Sequence, residues 1–159
     1  MASIKVISEE LLNATYFSSK TILGTLDRTD GKQYDLILAN PPYYQSKLIS
    51  QAAKDTSYYT EKGMGVEGLF LEWIIKSIKP NGVANVVLPD GIFTNIGNKR
   101  LHDYIIEQCY IEAIISLPIN TFFNTPKKTY ILTLRKKRDI SERQAYPVFA
   151  YFCTSIGET

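Results

Sequence analysis

Residues 40–43, Asn-Pro-Pro-Tyr, directly follow a continuous apolar run at 34–39. Two consecutive prolines cannot continue a sheet ladder, because neither has an N–H group to donate, so a strand over 34–39 must end here. The segment offers an amide oxygen, carbonyl groups held in place by proline, and an aromatic ring. Hydrogen bonding and stacking are therefore the chemistry to expect of it, although the same tetrapeptide could be no more than a rigid strand-ending turn.

The surrounding pattern predicts strands over 34–39, 83–89, 111–118 and 128–137, separated by helical segments. This alternation predicts an α/β fold with a mainly parallel sheet flanked by helices, in which the run at 34–39 is a strand covered on both faces. Ligands of such sheets bind beyond the carboxyl ends of the strands. Residues 40–43 and the segment PDGIF at 89–93 each follow a strand, so both should border the same crevice.

Two helices are predicted from apolar residues at helical spacing. Phe70, Ile74 and Ile78 share one face of the first, which KPNG at 79–82 should end. The second helix has its apolar face at Leu101, Ile105 and Cys109, and we expect the cysteine to be a buried free thiol.

The composition sets wide limits on function. A chain of 159 residues with a net charge of +2 can form one domain with a sizeable core, and it permits an anionic partner without requiring one. Two cysteines and one histidine do not make a metal site. The sequence shows neither a secretory signal nor a membrane span, so we predict a cytoplasmic protein with no membrane partner.

YDLILANPPYY at 34–44 resembles motif IV of the amino-methyltransferases, which methylate exocyclic amines with S-adenosylmethionine. Two further stretches, GLFLEWIIKSIKPNGVANVVLPDGIF and IEAIISLPINTFFNTPKKTYILTL, are similar to segments that follow motif IV in DNA adenine-N6 methyltransferases of restriction–modification systems. The similarity is closest to the modification subunits of type I systems and to fused type II enzymes. It covers roughly residues 20–137, so it is more specific than a tetrapeptide match.

The resemblance implies a Rossmann-like class I methyltransferase fold and a catalytic segment formed by Asn40, Pro41, Pro42 and Tyr43. The adenine N6 amine is a weak nucleophile, and two acceptors, the Asn40 side-chain oxygen and the Pro41 carbonyl, would stabilise the positive charge that develops on it. Pro42 helps to fix the loop, and Tyr43 would stack on a base flipped out of double-stranded DNA. The methyl group would then be transferred directly, without a covalent enzyme intermediate.

The resemblance also implies a second base contact in NTFFNTPKKTY, for which Phe122 and Phe123 are the candidates and Phe123 is favoured, although both rings could equally fill the core. Lys127 and Lys128 could contact DNA phosphates, as could RKKR at 135–138. A charge run at a strand end is more often a solvated surface, so both readings stay open.

Family members carry a glycine-rich motif I before motif IV, and the sequence contains no such stretch. We therefore expect residues 1–159 to be a single domain, the C-terminal part of a methyltransferase catalytic domain without the N-terminal cofactor-binding strand and the target-recognition domain. Whether this chain alone binds S-adenosylmethionine is an open question, and DNA specificity would come from other subunits or segments. The alternatives are a protein-glutamine or RNA methyltransferase with the same loop, or a non-catalytic DNA- or subunit-binding module.

Overall fold

The computed structural model describes residues 33–41, 43, 66–122 and 126–155. Within these ranges one sheet contains five strands: β1 (Tyr34–Ala39), β2 (Ile78–Pro89), β3 (Cys109–Ser116), β4 (Thr129–Lys136) and β5 (Phe149–Phe152). Their order across the sheet is β1-β2-β4-β3-β5. Strand β4 is antiparallel to both of its neighbours, whereas β1 pairs in parallel with β2 and β3 in parallel with β5. Four strands thus run in one direction, which confirms the predicted α/β class and its mainly parallel sheet.

The helices are α1 (Val66–Ser77), the single turn α2 (Gly91–Thr94) and α3 (Lys99–Gln108), with a short 3₁₀ turn at Ile96–Asn98 before α3. Alternate residues of β2 are fully buried, because one face of this strand points at the helices. Their neighbours on β4 lie on the same face, since Ala84 is opposite Leu134 and Val86 is opposite Leu132. One core cluster joins these positions to the two long helices through Ile74, Ile75, Leu101 and Ile105.

The predicted end of the first helix was wrong by a few residues. Helix α1 ends at Ser77, and Ile78 is the buried first residue of β2. Residues 79–82 form a bulge, because Tyr34 is opposite Ile78 whereas Leu36 is opposite Val83. Asn81 adopts a positive φ of 65° in this bulge.

Gly82 is required at this bulge for steric reasons. A Cβ atom there would lie 2.7 Å from the Ile78 side chain and 3.0 Å from the Asp35 carbonyl oxygen. The Pro-Asn-Gly sequence that was predicted to stop a helix therefore shapes the crossing from α1 into the sheet instead.

The prediction that β1 is covered on both faces was also wrong. Ile37 and Ala39 pack against the core, but Leu36 and Leu38 on the other face are 55% and 62% exposed. Both long helices that the structure describes contribute to the core on one side of the sheet, so a continuous apolar run did not mean two covered faces here.

Three smaller points complete the fold. Cys109 is a buried free thiol, as predicted, but it begins β3 rather than ending a helix. Strand β5, which lies in a weakly patterned region, was not predicted. In the described part of the chain no helix is long and apolar enough to cross a membrane, and no group of three potential metal ligands is found.

Candidate active site at the carboxyl ends of the strands

The segment after β1 lies against the carboxyl end of β2. Ala39 is opposite Val86 in the parallel pair, so the chain leaves the sheet beside Val87. Pro41 is buried, and Tyr43 is half-buried. The Tyr43 hydroxyl lies 2.6 Å from Asn40 Oδ1 and 3.0 Å from the Val87 carbonyl oxygen. The structure thus brings Asn40, Pro41 and Tyr43 together at the predicted edge, whereas Pro42 lies outside the described residues.

The Tyr43 hydroxyl lies within hydrogen-bond distance of two acceptors. A phenol hydroxyl has one proton, so it can donate to Asn40 Oδ1 or to the Val87 carbonyl, but not to both at once. Burial, and to a smaller extent the charge of Glu67, raise the pKa of Tyr43 well above its usual value, so the phenol stays protonated and acts as a donor. At any moment one of these two acceptors receives no proton from Tyr43.

Glu67 is a residue of this region that the sequence analysis did not single out. It lies in the first turn of α1, and its Oε2 atom is buried without a hydrogen-bond partner. Burial raises the pKa of its carboxyl group, while a hydrogen bond with its own backbone and the charge of Lys127 oppose the rise. An acid in the first turn of a helix usually needs no explanation beyond the helix dipole, so Glu67 stands out only weakly in the sequence.

The segment PDGIF lies at the same end of the sheet, as predicted. The Asp90 amide donates to the Lys128 carbonyl oxygen at 3.0 Å, which joins the end of β2 to the start of β4. The Tyr130 hydroxyl donates to Asp90 Oδ1 at 3.1 Å, and the Phe93 and Tyr130 rings meet edge-on with their centroids 5.1 Å apart. These contacts join the end of β2, the turn α2 and the start of β4 beside the crevice.

The two predicted base-stacking phenylalanines cannot both be placed. Phe122 is half-buried and follows a turn in which Thr121 Oγ1 donates to the Pro118 carbonyl oxygen at 2.7 Å, while Asn120 has a φ of 69°. No contact that the structure describes joins Phe122 to Asn40 or Tyr43. Phe123, the favoured candidate, lies outside the described residues.

The two lysines before β4 differ. Lys127 is exposed, and its charge acts on Glu67. Lys128 donates to the Leu117 carbonyl oxygen, and its ammonium group lies 4.9 Å from the centre of the Phe152 ring. These contacts hold Lys128 on the protein itself, so Lys127 is the better placed of the two for a phosphate.

The basic run at 135–138 lies at the opposite end of the sheet. Strand β4 has eight residues and so spans roughly 24 Å at about 3.4 Å per residue. All four side chains have protein partners. Arg135 pairs with Glu112 at 2.6 Å, and the 7%-exposed Lys137 donates to the Ile106 carbonyl oxygen at 2.7 Å. This arrangement argues against a phosphate-binding role for the run at the crevice.

With the geometry established, comparison with known proteins decides the family. The family model described as N-6 DNA Methylase matches residues 5–151 of the chain. The chain belongs to this family. The sequence-based identification with adenine-N6 methyltransferases is thereby confirmed.

Individual relatives agree with the family assignment. The methylase subunit of the type I restriction enzyme EcoEI from Escherichia coli is 32% identical over 115 residues, which cover 70% of this chain and 23% of that protein. A tRNA1(Val) (adenine(37)-N6)-methyltransferase from Dyadobacter fermentans is 33% identical over 70 residues, which cover 44% of this chain and 29% of that protein.

A solved structure from Listeria monocytogenes supports the fold. It is described as a class I S-adenosylmethionine-dependent methyltransferase, and it matches with a TM-score of 0.70 at 23% identity, over 84% of this chain and 41% of that one. The N-6 DNA methylase chain described here spans about a fifth of the length of the curated type I methylase subunits that it matches, namely 21%, 23% and 22% of three of them.

Proposed function

We propose that this N-6 DNA methylase chain carries the base-binding and transfer site of an S-adenosylmethionine-dependent enzyme that methylates adenine N6 in DNA, as part of a restriction–modification system. One observation carries the proposal. Asn40 Oδ1 and the Val87 carbonyl share a single hydroxyl proton beside a tyrosine ring, at the edge of the sheet where ligands bind. A primary amine on a flat ring has the two N–H donors and the stacking face that such a site can use.

The roles of the residues follow from this geometry. S-adenosylmethionine, when bound, supplies the methyl group. Asn40 Oδ1 accepts one N–H of the amine and the Pro41 carbonyl the other, which favours the nitrogen as its positive charge develops. Asn40 can serve the amine through its second lone pair, or the Tyr43 hydroxyl can move to Val87 alone. The Tyr43 ring stacks on the flipped base, and Pro42 restricts the loop.

The residues present fit one part of the cofactor better than the rest. The acceptor oxygens and Glu67 suit the positively charged methyl-donor end of S-adenosylmethionine. The sequence contains no glycine-rich motif I for the methionine end. We infer that residues 1–159 correspond to the C-terminal part of a catalytic domain. Other segments or subunits then complete cofactor binding and DNA recognition, and the relatives' type I systems suggest specificity and restriction subunits as partners.

Methylation of adenine in RNA is the second candidate. It is favoured by the relative from Dyadobacter fermentans, whose name gives a tRNA adenine as its target. The chemistry at Asn40 would be the same, and only the surface that receives the nucleic acid would differ.

The test is methyl transfer from labelled S-adenosylmethionine to adenine-containing DNA or tRNA. The chain is assayed together with the segments or subunits that complete cofactor binding, and two variants of it are compared. Asn40→Ala should lower the rate about 100-fold, by analogy with the loss of one hydrogen-bonding group from an oxyanion hole. Asp35→Ala is the matched control, since Asp35 lies on the same strand but pairs with Lys79 in an exposed ion pair at the other end. Equal rates for both variants would contradict the proposed site, and methylation of tRNA alone would favour the second candidate.

A further inference from the structure

We propose that strand β5 is an interaction surface and that its partner is a second copy of this chain. The β5 strands of the two copies pair in the antiparallel direction, so that the two sheets continue into one. Strand β5 lies at the opposite edge of the sheet from β1. The inference therefore does not depend on the proposed function.

The outer edge of β5 carries backbone groups that no described strand pairs with. β5 is the last strand in the sheet order, and its inner side pairs in parallel with β3. The Cys153 amide, just after the strand, donates to the Ser116 carbonyl oxygen of β3 at 2.9 Å. Because successive residues of a strand direct their N–H and C=O groups to opposite sides, Ala150 and Phe152 direct theirs outward. Another strand is the partner that such a row of donors and acceptors fits.

The neighbouring part of β3 shows how this chain closes an edge. Before β5 begins, the Gln144 side chain pairs with the backbone of β3. Its Nε2 donates to the Ile111 carbonyl oxygen and its Oε1 accepts from the Ile111 amide, both at 2.9 Å. No comparable contact within the described residues closes the edge of β5. Residues 145–155 also contain no charged side chain, which is a common means of preventing strand pairing.

The side chains of β5 are aromatic and exposed on both faces of the sheet. Phe149 and Tyr151 lie on one face and are 59% and 55% exposed, and Phe152 on the other face is 68% exposed. The Phe149 and Tyr151 rings stack with their planes 5° apart and their centroids 6.4 Å apart. The Lys128 ammonium group lies over the Phe152 ring. These contacts hold the three rings in place before a partner binds, which lowers the entropic cost of binding.

The sequence of β5 is complementary to itself in one antiparallel register. When both outward-facing residues pair, Ala150 lies opposite Phe152 of the second copy, and Phe152 lies opposite Ala150 of that copy. Residues paired in this way exchange both of their N–H···O bonds. On one face of the joined sheet a large ring then lies beside a methyl group, and on the other face the two Tyr151 side chains meet at the two-fold axis. Such a contact closes on itself and ends at a dimer.

The exposed area indicates a weak, reversible dimer. With about 200 Å² for each aromatic side chain, Phe149, Tyr151 and Phe152 together expose roughly 360 Å² per copy. Two copies therefore bury roughly 700 Å² of aromatic surface, to which the backbone and the exposed Tyr146 and Val148 side chains beside the strand add. Permanent dimers bury more than this, whereas transient ones bury areas of this size.

Sedimentation equilibrium of the 159-residue chain at micromolar to millimolar concentrations tests the association. We expect monomers at the lowest concentrations and dimers at the highest. Ala150→Pro removes an outward-facing N–H, and Tyr151→Glu places two carboxylates opposite each other. Each should weaken dimerisation about tenfold or more.

The control for these variants is Ile140→Glu, because Ile140 is 60% exposed but lies outside β5. Its dimerisation should equal that of the wild type. A wild type that stays monomeric at every concentration, or equal weakening by all three variants, would overturn the inference. If circular dichroism shows that Ala150→Pro disturbs the fold, the comparison of Tyr151→Glu with Ile140→Glu decides.

Disulfide formation tests the register. In a Cys153→Ser background, Tyr151→Cys places two thiols opposite each other at the axis. The Cα atoms of such a non-hydrogen-bonded pair are about 4.5 Å apart, which a disulfide can span. Phe149→Cys in the same background is the matched control, because its two copies would lie roughly 14 Å apart at about 3.4 Å per residue.

Mild oxidation should therefore give a covalent dimer from Tyr151→Cys and none from Phe149→Cys. Equal cross-linking of the two variants, or cross-linking of Phe149→Cys alone, would contradict the antiparallel register. The absence of a covalent dimer from both variants would contradict the pairing of β5 with its own copy.

Discussion

The two ends of the sheet use their polar groups in opposite ways. At the carboxyl ends of the parallel strands, Asn40 Oδ1 and the Val87 carbonyl share the one proton of the Tyr43 hydroxyl, and Glu67 Oε2 is buried without a hydrogen-bond partner. At the other end, Lys136 donates to Gln108 Oε1 at 2.8 Å and Lys137 donates to the Ile106 carbonyl oxygen. The second end looks more functional in the sequence because it is rich in charge, but its charges are satisfied within the protein.

This difference shows which polar groups are available to a ligand. Groups that already have internal partners stabilise the fold, and a ligand would have to break those contacts. Groups left without a partner in a buried setting gain from a ligand that supplies one. The two ends of the sheet therefore differ more clearly in whether their polar groups have hydrogen-bond partners within the protein than in how many charges they carry.

Thiol reactivity should show the largest difference at the cationic end. Burial raises the pKa of Cys109 to about 11 despite the nearby charges of Lys136 and Lys137. The thiolate fraction at pH 8 should then be about 100-fold below that of a thiol with the ordinary value of 9.0. Maleimide labelling at pH 8 with peptide mapping should modify the half-buried Cys153 first, and Cys109 labelling should keep increasing up to pH 11. Equal labelling rates for Cys109 and Cys153 would show that solvent reaches Cys109 at the cationic end of the sheet.

Removing the Tyr43 ring should have the next largest effect, this time at the carboxyl end. Loss of base stacking is worth about 1–3 kcal/mol, so Tyr43→Ala should weaken binding of an adenine-containing oligonucleotide roughly 5- to 150-fold. Tyr43→Phe keeps the ring and should retain most of the affinity. A Tyr43→Ala variant that loses only S-adenosylmethionine affinity would contradict the stacking role.

Lys137→Met should lower the free energy of unfolding by about 1–3 kcal/mol, because the Ile106 carbonyl loses its donor and the variant side chain cannot replace it. Arg143→Met is the control, since Arg143 is exposed and lies beside the same region. Urea unfolding of both variants compares the two directly. A Lys137→Met variant with the free energy of unfolding of the wild type would show that the fold does not need the charge of Lys137.

The smallest expected effect concerns DNA phosphates. Lys127→Ala should reduce the slope of log affinity against log salt by about one, whereas Arg138→Ala should leave it unchanged. The reason is that Lys127 is exposed at the crevice end, while Arg138 lies against the Asn81 side chain at the other. Equal changes in the two slopes would place DNA across both ends of the sheet.

The sequence predicted the class of fold and the strand end at which Asn40 and Pro41 lie, because prolines and apolar runs act locally. Pro41 and Pro42 must end a strand wherever they occur, and the strands at 83–89, 111–118 and 128–137 are close to those observed. The exposed faces of Leu36 and Leu38 could not be foreseen, because an apolar run does not say what packs on it.

The features that the sequence missed depend on long-range contacts. β5 is held by pairing with β3, from Ala113 opposite Phe149 to Ser116 opposite Phe152, rather than by its own pattern. The charge of Glu67 acts on Tyr43, 24 positions earlier, and the charge of Lys127, 60 positions later, acts on Glu67; only the fold brings these residues near one another. The internal partners of the basic run are likewise fixed by the antiparallel β4, whose direction no residue in it encodes.

The most direct test of the central claim is the identity of the methylated atom. The chain, together with the segments or subunits that complete cofactor binding and DNA recognition, is incubated with S-adenosylmethionine and duplex DNA. The DNA is digested to nucleosides, and these are analysed by mass spectrometry. The account predicts N6-methyladenine, in an amount that falls about 100-fold for Asn40→Ala. Methylation of a different base, or N6-methyladenine formed equally by Asn40→Ala, would contradict the claim that Asn40 and Pro41, at the carboxyl ends of the strands, hold an adenine amine.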